Sequence, residues 1–128
     1  MNLLLDTHTL LWFFRDDPQL TIAAKALIED PANRKLVSVA SCWEIAVKAG
    51  IGKLTLAESS SSLLHREIAR NHFELLPIYF EHATAVEQLP LHHRDPFDRL
   101  LIAQAMLENM PIVSIDKALD SYPIKRLW

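Results

Sequence analysis

Short apolar runs alternate with longer amphipathic segments along the chain. Leu3-Leu4-Leu5 is a run of three leucines stopped by Asp6, the pattern of a short strand buried on both faces. Lys35–Val39, Phe73–Ile78 and Ile112–Asp116 read as further strands, and Ile124–Leu127 as a short fifth. Between them lie segments with helical periodicity: Thr9–Arg15, Thr21–Glu29, Ala40–Ala49, Leu63–Asn71, Phe80–Gln88 and Pro96–Glu108. Their punctuation agrees. Asp16-Asp17-Pro18 and Asp30-Pro31 break helices, Gly50-Ile51-Gly52 ends one, Pro96 suits a first helical turn, and Ser59–Ser62 suits a helix start. Strands alternating with helices of about ten residues predict an α/β domain: a central, mostly parallel sheet of four to five strands with helices on both faces. In such sheets ligands bind beyond the carboxyl ends of the strands.

Composition narrows this picture. The 128 residues suit one domain, residues 1–128, and 50% apolar with 23% charged residues is ordinary for a globular protein. The formal charge of −3 argues against binding nucleic acid through bulk positive charge, although a local basic patch stays compatible with it. Cys42 is the one cysteine, so no internal disulfide framework exists; Gly50 and Gly52 are the only glycines, so no glycine-rich phosphate loop can be written. The Met1–Asp6 start lacks the basic and long apolar regions of a signal peptide, and no apolar stretch is long enough for a bilayer. A cytoplasmic protein without membrane contact is expected.

The acids carry the chemistry. Asp6 and Asp116 end two apolar strands, Glu44 lies early in the third helix, and Asp98 lies in the first turn of the last one. All four are placed to reach the carboxyl edge of the sheet. Gathered carboxylates repel unless a cation sits among them, and hard oxygen donors without a cysteine or histidine cluster suit Mg²⁺ or Mn²⁺. Metal-assisted phosphodiester hydrolysis is the chemistry this set would support. Each acid also has a plainer reading. Asp6, Asp95 and Asp116 suit helix caps, Asp98 suits a helix dipole, and Glu44 suits an ion pair with Lys48 four residues on. The six histidines lack the spacing of a helical zinc motif and read as packing or solvent-facing groups. Arg99, Arg94, Lys48 and Lys53 are candidate contacts to substrate phosphates, or partners of neighbouring acids.

Four blocks then resemble a known family: Leu4-Leu5-Asp6-Thr7-His8-Thr9-Leu10-Leu11-Trp12, Ser41-Cys42-Trp43-Glu44-Ile45, Asp95-Pro96-Phe97-Asp98-Arg99-Leu100-Leu101-Ile102-Ala103-Gln104-Ala105, and Val113-Ser114-Ile115-Asp116. They resemble PIN-domain proteins, and within these the VapC-type toxins of type II toxin–antitoxin systems. The resemblance implies a three-layer α/β/α domain and a Mg²⁺- or Mn²⁺-dependent endoribonuclease. It assigns the catalytic and metal-holding acids to Asp6, Glu44, Asp98 and Asp116, with Asp95 as an additional acid, and leaves the supporting hydroxyl open between Thr7 and Thr9. It further implies a homodimer, an RNA substrate and a cognate antitoxin. A PIN-fold nuclease of RNA processing or DNA cleavage, and a non-catalytic binding module, are the competing readings.

Overall fold

A computed structural model describes all residues, 1–128. Its elements follow in chain order: β1 (Asn2–Leu5), α1 (Thr7–Arg15), α2 (Ile22–Glu29), β2 (Arg34–Ser38), α3 (Val39–Gly50), α4 (Ser60–Arg70), β3 (Glu74–Leu76), α5 (Phe80–Ala85), α6 (Pro96–Leu107), β4 (Ile112–Val113) and β5 (Arg126–Leu127). Short 3₁₀ turns cover Val86–Gln88 and Lys117–Ser121. The strands form one sheet in the order β3-β2-β1-β4-β5, and all four pairings are parallel.

The leucine run explains the layers. Leu3, Leu4 and Leu5 are fully buried because β1 is central and covered on both sides. Leu3 and Leu5 join Leu10 and Leu11 of α1, Ile28 of α2 and Leu64 of α4 on one face. Leu4 joins Leu101, Ile102 and Ala105 of α6 on the other. Helix α3 serves both, giving Ala40 to the second cluster and Ile45 to the first. The result is the three-layer α/β/α arrangement expected. No helix is long and apolar enough to cross a membrane.

Several boundaries differ from the sequence expectation. Helix α1 begins at Thr7, two residues early, because Asp6 caps it: the Thr9 amide donates to Asp6 Oδ1 at 2.8 Å. Strand β3 shrinks to Glu74–Leu76, just before Pro77, which has no amide hydrogen for a ladder. The predicted Phe80–Gln88 helix tightens after Ala85 into a 3₁₀ turn. Strand β4 stops at Val113, so Asp116 does not end it and instead caps the turn Lys117–Ser121, accepting from the Ala118 amide at 3.0 Å. Ser59 caps α4 as the serine run suggested, and Gly52 takes the positive φ of 78° that lets the chain turn out of α3.

The strand order reverses between β1 and β4. From β1 the chain builds outward through β2 and β3, then returns to lay β4 on the other side of β1. Such a reversal splits the loops apart and leaves a crevice at the carboxyl ends of the two strands. One side-chain network fixes α6 against that edge. Buried Gln104 accepts from the Ser38 hydroxyl and donates to the Pro77 carbonyl at 3.1 Å, tying α6 to the ends of β2 and β3.

Because Leu4 is fully buried at the centre of the sheet, Leu4→Ala should destabilise the fold by about 2–5 kcal/mol, read from urea unfolding.

Candidate active site

Three helix N-termini and one turn deliver acids to the crevice. Asp6 leaves β1 at the cap of α1. Its amide donates to the Val113 carbonyl at 3.2 Å and the Thr9 hydroxyl donates to the same carbonyl at 2.9 Å, so β4 and the α1 start hold it from two sides. Burial pushes the Asp6 carboxyl above its usual pKa range, against the opposing influence of the Ser114 and Thr9 hydroxyls, the Thr9 amide and His8. Ser114 and Thr9 thus both bring hydroxyls to this acid, while the Thr7 hydroxyl donates to Ser41 at 3.0 Å.

Glu44 sits on the second turn of α3, and only 3% of it reaches solvent. Its Oε2 pairs with Lys48, one turn on, as the sequence spacing allowed. Its Oε1 is buried with no hydrogen-bond partner in the chain. A buried, unpartnered carboxylate oxygen carries a desolvation cost that a protein ordinarily avoids.

Asp98 occupies the first turn of α6. Asp95 caps that helix, accepting from the amides of Phe97 at 2.9 Å and Asp98 at 3.2 Å. Burial, then the adjacent Asp95 carboxylate, raises Asp98 to about 7; Glu44 and Asp6 push the same way, and His93 opposes them. The acids named from separate parts of the sequence thus feel one another. Asp116, half-exposed, completes the group through His93.

Sequence reasoning placed the histidines elsewhere, and His93 is the residue it missed. Its Nε2 lies 2.8 Å from Asp116 Oδ2 and 3.3 Å from Asp98 Oδ2. His93, Asp98 and Asp116 together form a group whose ligand atoms lie within 4.8 Å of one another. The Asp95 amide donates to His93 Nδ1 at 3.3 Å, which places the ring hydrogen on Nε2 and makes the imidazole a donor to the two carboxylates. The available signal was its position, two residues before Asp95 and five before Asp98.

The basic residues divide. Arg99 does not face the crevice with free hydrogens. Nη1 donates to the carbonyls of Pro90 and His93, and Nη2 to those of Val86 and Leu89, at 3.0–3.1 Å. Its expected contact with a substrate phosphate is replaced by a strap on the loop that carries His93. The Tyr122 hydroxyl adds to the strap, donating to the Pro90 carbonyl at 2.7 Å and accepting the His93 amide at 2.8 Å. Lys48 stays at the site through Glu44, and Arg94 is exposed. Burial pushes the Cys42 thiol up, which keeps it in the unreactive protonated form.

The donor set fits a divalent cation. Asp98 and Asp116 lie together beside His93, Asp6 and Glu44 are almost fully buried and repel the Asp98 charge, and Glu44 Oε1 has no partner. All-oxygen donors match a hard cation such as Mg²⁺ or Mn²⁺.

Residues 3–125 match the family model of the PIN domain. Among solved structures, the fold is similar to VapBC2 from Rickettsia felis bound to a DNA fragment from its promoter: TM-score 0.74, 17% identity, 99% of this chain and 98% of that one. It is also similar to DNA-bound VapBC from Salmonella typhimurium, with TM-score 0.73 and 18% identity over 99% and 97% of the two chains. FitAcB from Neisseria gonorrhoeae aligns with TM-score 0.66 and 17% identity over 98% and 96%. No curated protein matches the chain in sequence.

The Asp98 carboxyl binds its proton more tightly in the folded chain than unfolded. Its contribution therefore makes the cation-free protein lose stability as pH rises from the ordinary 3.8 toward 7. Asp98→Asn should remove that slope and, in chelator at about pH 8, melt at a higher temperature than the parent. Divalent-ion affinity should rise over the same pH range, with proton release visible in calorimetry. His93→Ala should weaken Mn²⁺ binding about tenfold or more, and His93→Gln, which keeps an N–H at similar reach, should restore part of it.

Proposed function

Because the chain belongs to the PIN domain family, we propose that it is a Mg²⁺- or Mn²⁺-dependent endoribonuclease and the toxin of a type II toxin–antitoxin pair. One observation carries the catalytic part: Glu44 Oε1 is buried without a hydrogen-bond partner, on a side chain whose charge, like that of Asp6, bears on Asp98, and such an oxygen makes physical sense beside a cation. The toxin part draws support from the similar structures, which are VapBC assemblies and a toxin–antitoxin complex from Klebsiella pneumoniae. On this reading the partners are an RNA substrate, a cognate antitoxin and a second copy of the chain, and the protein works in the cytoplasm.

In the proposed mechanism Asp6, Glu44 and Asp98 hold the cation, with Asp116 assisting and Asp95 serving as the cap that fixes Asp98. When bound, the cation supplies an activated water and charge neutralisation at the phosphodiester. The residues supply the rest. Asp6 and Glu44 are locked by burial and by the Thr9 and Lys48 contacts, so their oxygens need little reorganisation. His93 keeps Asp98 and Asp116 turned toward each other. With Arg99 engaged on carbonyls, Lys48, Lys53 and the exposed Arg94 are the candidates from the sequence that can still meet substrate phosphates.

Asp6→Asn should abolish cleavage of single-stranded RNA in Mg²⁺ or Mn²⁺ while the far-ultraviolet circular dichroism stays that of the parent. Full cleavage by that variant would refute the mechanism. RNA left intact by the parent, alongside cut branched DNA, would assign the site to a different nuclease role.

A further inference from the structure

Beside the acids lies an open cleft of about 310 Å³ lined by His8, Trp12, Arg15, Glu44, Lys48 and Lys53, together with apolar neighbours. Arg15, Lys48 and Lys53 are cations at neutral pH, and the one acid among these six is buried and paired with Lys48. The cleft is therefore net positive, next to a cluster that is net negative. Lys53 is exposed and makes no ion pair or side-chain hydrogen bond, and Arg15 uses only one Nη on the chain, donating to the Thr55 carbonyl at 3.1 Å. One wall is aromatic. The exposed His8 ring stands 5.9 Å from Trp12 with the planes 35° apart, and Trp128 backs Trp12 at 5.9 Å. The cleft and the acid cluster share Glu44; His8 influences the Asp6 carboxyl, and Asp95 and Asp98 influence Lys48.

A larger hollow opens at the opposite edge of the sheet, around Arg34 and Glu74. Its principal charges already satisfy each other at 2.7 Å, so it offers a charged ligand little.

We propose that the positive cleft seats the nucleotide adjoining the scissile phosphate of a single-stranded RNA, a reading that rests on the ribonuclease function above. The volume lies at the small end of pockets that hold compact ligands, about 300–1,000 Å³, and suits one nucleotide unit. Lys53 and Arg15 take the phosphate, and the base lies along the His8–Trp12 wall. A polyanion approaching a carboxylate cluster is repelled unless cations guide it, and these are the cations on that side. A base inside a duplex cannot reach a wall of this kind, so the strand must be unpaired here. Stacking accepts any base, so the cleft confers affinity and strand preference without choosing the sequence.

The test uses the Asp6→Asn chain, which should bind without cutting, and a labelled single-stranded oligoribonucleotide, the same strand in duplex form, and an acidic peptide. Lys53→Glu should weaken binding of the single strand about tenfold at low salt and reduce the dependence of log affinity on log salt by about 1. His8→Ala should weaken it several-fold with the salt dependence unchanged. In the cutting protein both changes should raise KM more than they lower kcat. Thermal melting confirms that these exposed substitutions leave the fold intact. Unaltered RNA affinity in Lys53→Glu, equal binding of duplex, or loss of only the acidic peptide would overturn the proposal, the last by assigning the cleft to a protein partner. A parent that cuts RNA while both variants match it defeats this inference alone; a parent that neither binds nor cuts RNA defeats the ribonuclease reading as well.

Discussion

Carboxylates facing one another across the end of a sheet repel, and the fold must hold them there. That repulsion is legible in Asp98, whose proton is retained to about 7 by burial and by Asp95, Glu44 and Asp6. The protein opposes it with rigid local structure. Asp6 and Asp95 each hold helical amides, and the Ser38 hydroxyl caps α3 before Glu44. The same oxygens that stabilise helix starts are thereby pinned where they cost most. Energy from the two apolar layers around β1 offsets this cost, the usual relation between a stable scaffold and a strained site.

Much of this was readable from local pattern. A leucine run closed by an acid specifies a buried strand and a cap at once, and the structure uses Leu3–Leu5 and Asp6 that way. The Asp-Pro-Phe-Asp block likewise encodes its own helix start, with Pro96 in the first turn and Asp95 on the amides. The cap found for Asp6, Asp95 and Asp116 does not exclude the chemical reading, since it uses one carboxylate oxygen and leaves the other. What sequence could not supply were contacts between distant segments. His93 meets Asp116 across 23 residues, and Arg99 spends its hydrogens on carbonyls up to 13 residues upstream. Neither has a periodic or local signature. Asp116 was misplaced by three residues relative to its strand because Ser114 and Ile115 continue an apolar-looking run after pairing has ended at Val113.

Arg99 shows how a surface-looking residue governs a site without entering it. The loop from Val86 to His93 has almost no secondary structure of its own after its 3₁₀ turn. Four carbonyls of that loop converge on one guanidinium, whose planar fork suits such multiple bonding better than a lysine ammonium would. Tyr122 holds the same loop from the other side. Helix α6, itself moored by Gln104, thus positions both Asp98 on its first turn and, through the loop, the imidazole that faces it.

The pairing of β1 with β4 joins Leu4 to Ile112 and Leu5 to Val113, nearly the full length of the chain apart. Asp6 takes its final position only when its amide meets the Val113 carbonyl, and β4 in turn pairs with Arg126 and Leu127 of β5. During synthesis, the first acid of the group emerges at the outset and waits for residues made at the end. A growing chain that lacks β4 and β5 has no Val113 carbonyl for the Asp6 amide to meet, so the crevice can close only after both strands have been made.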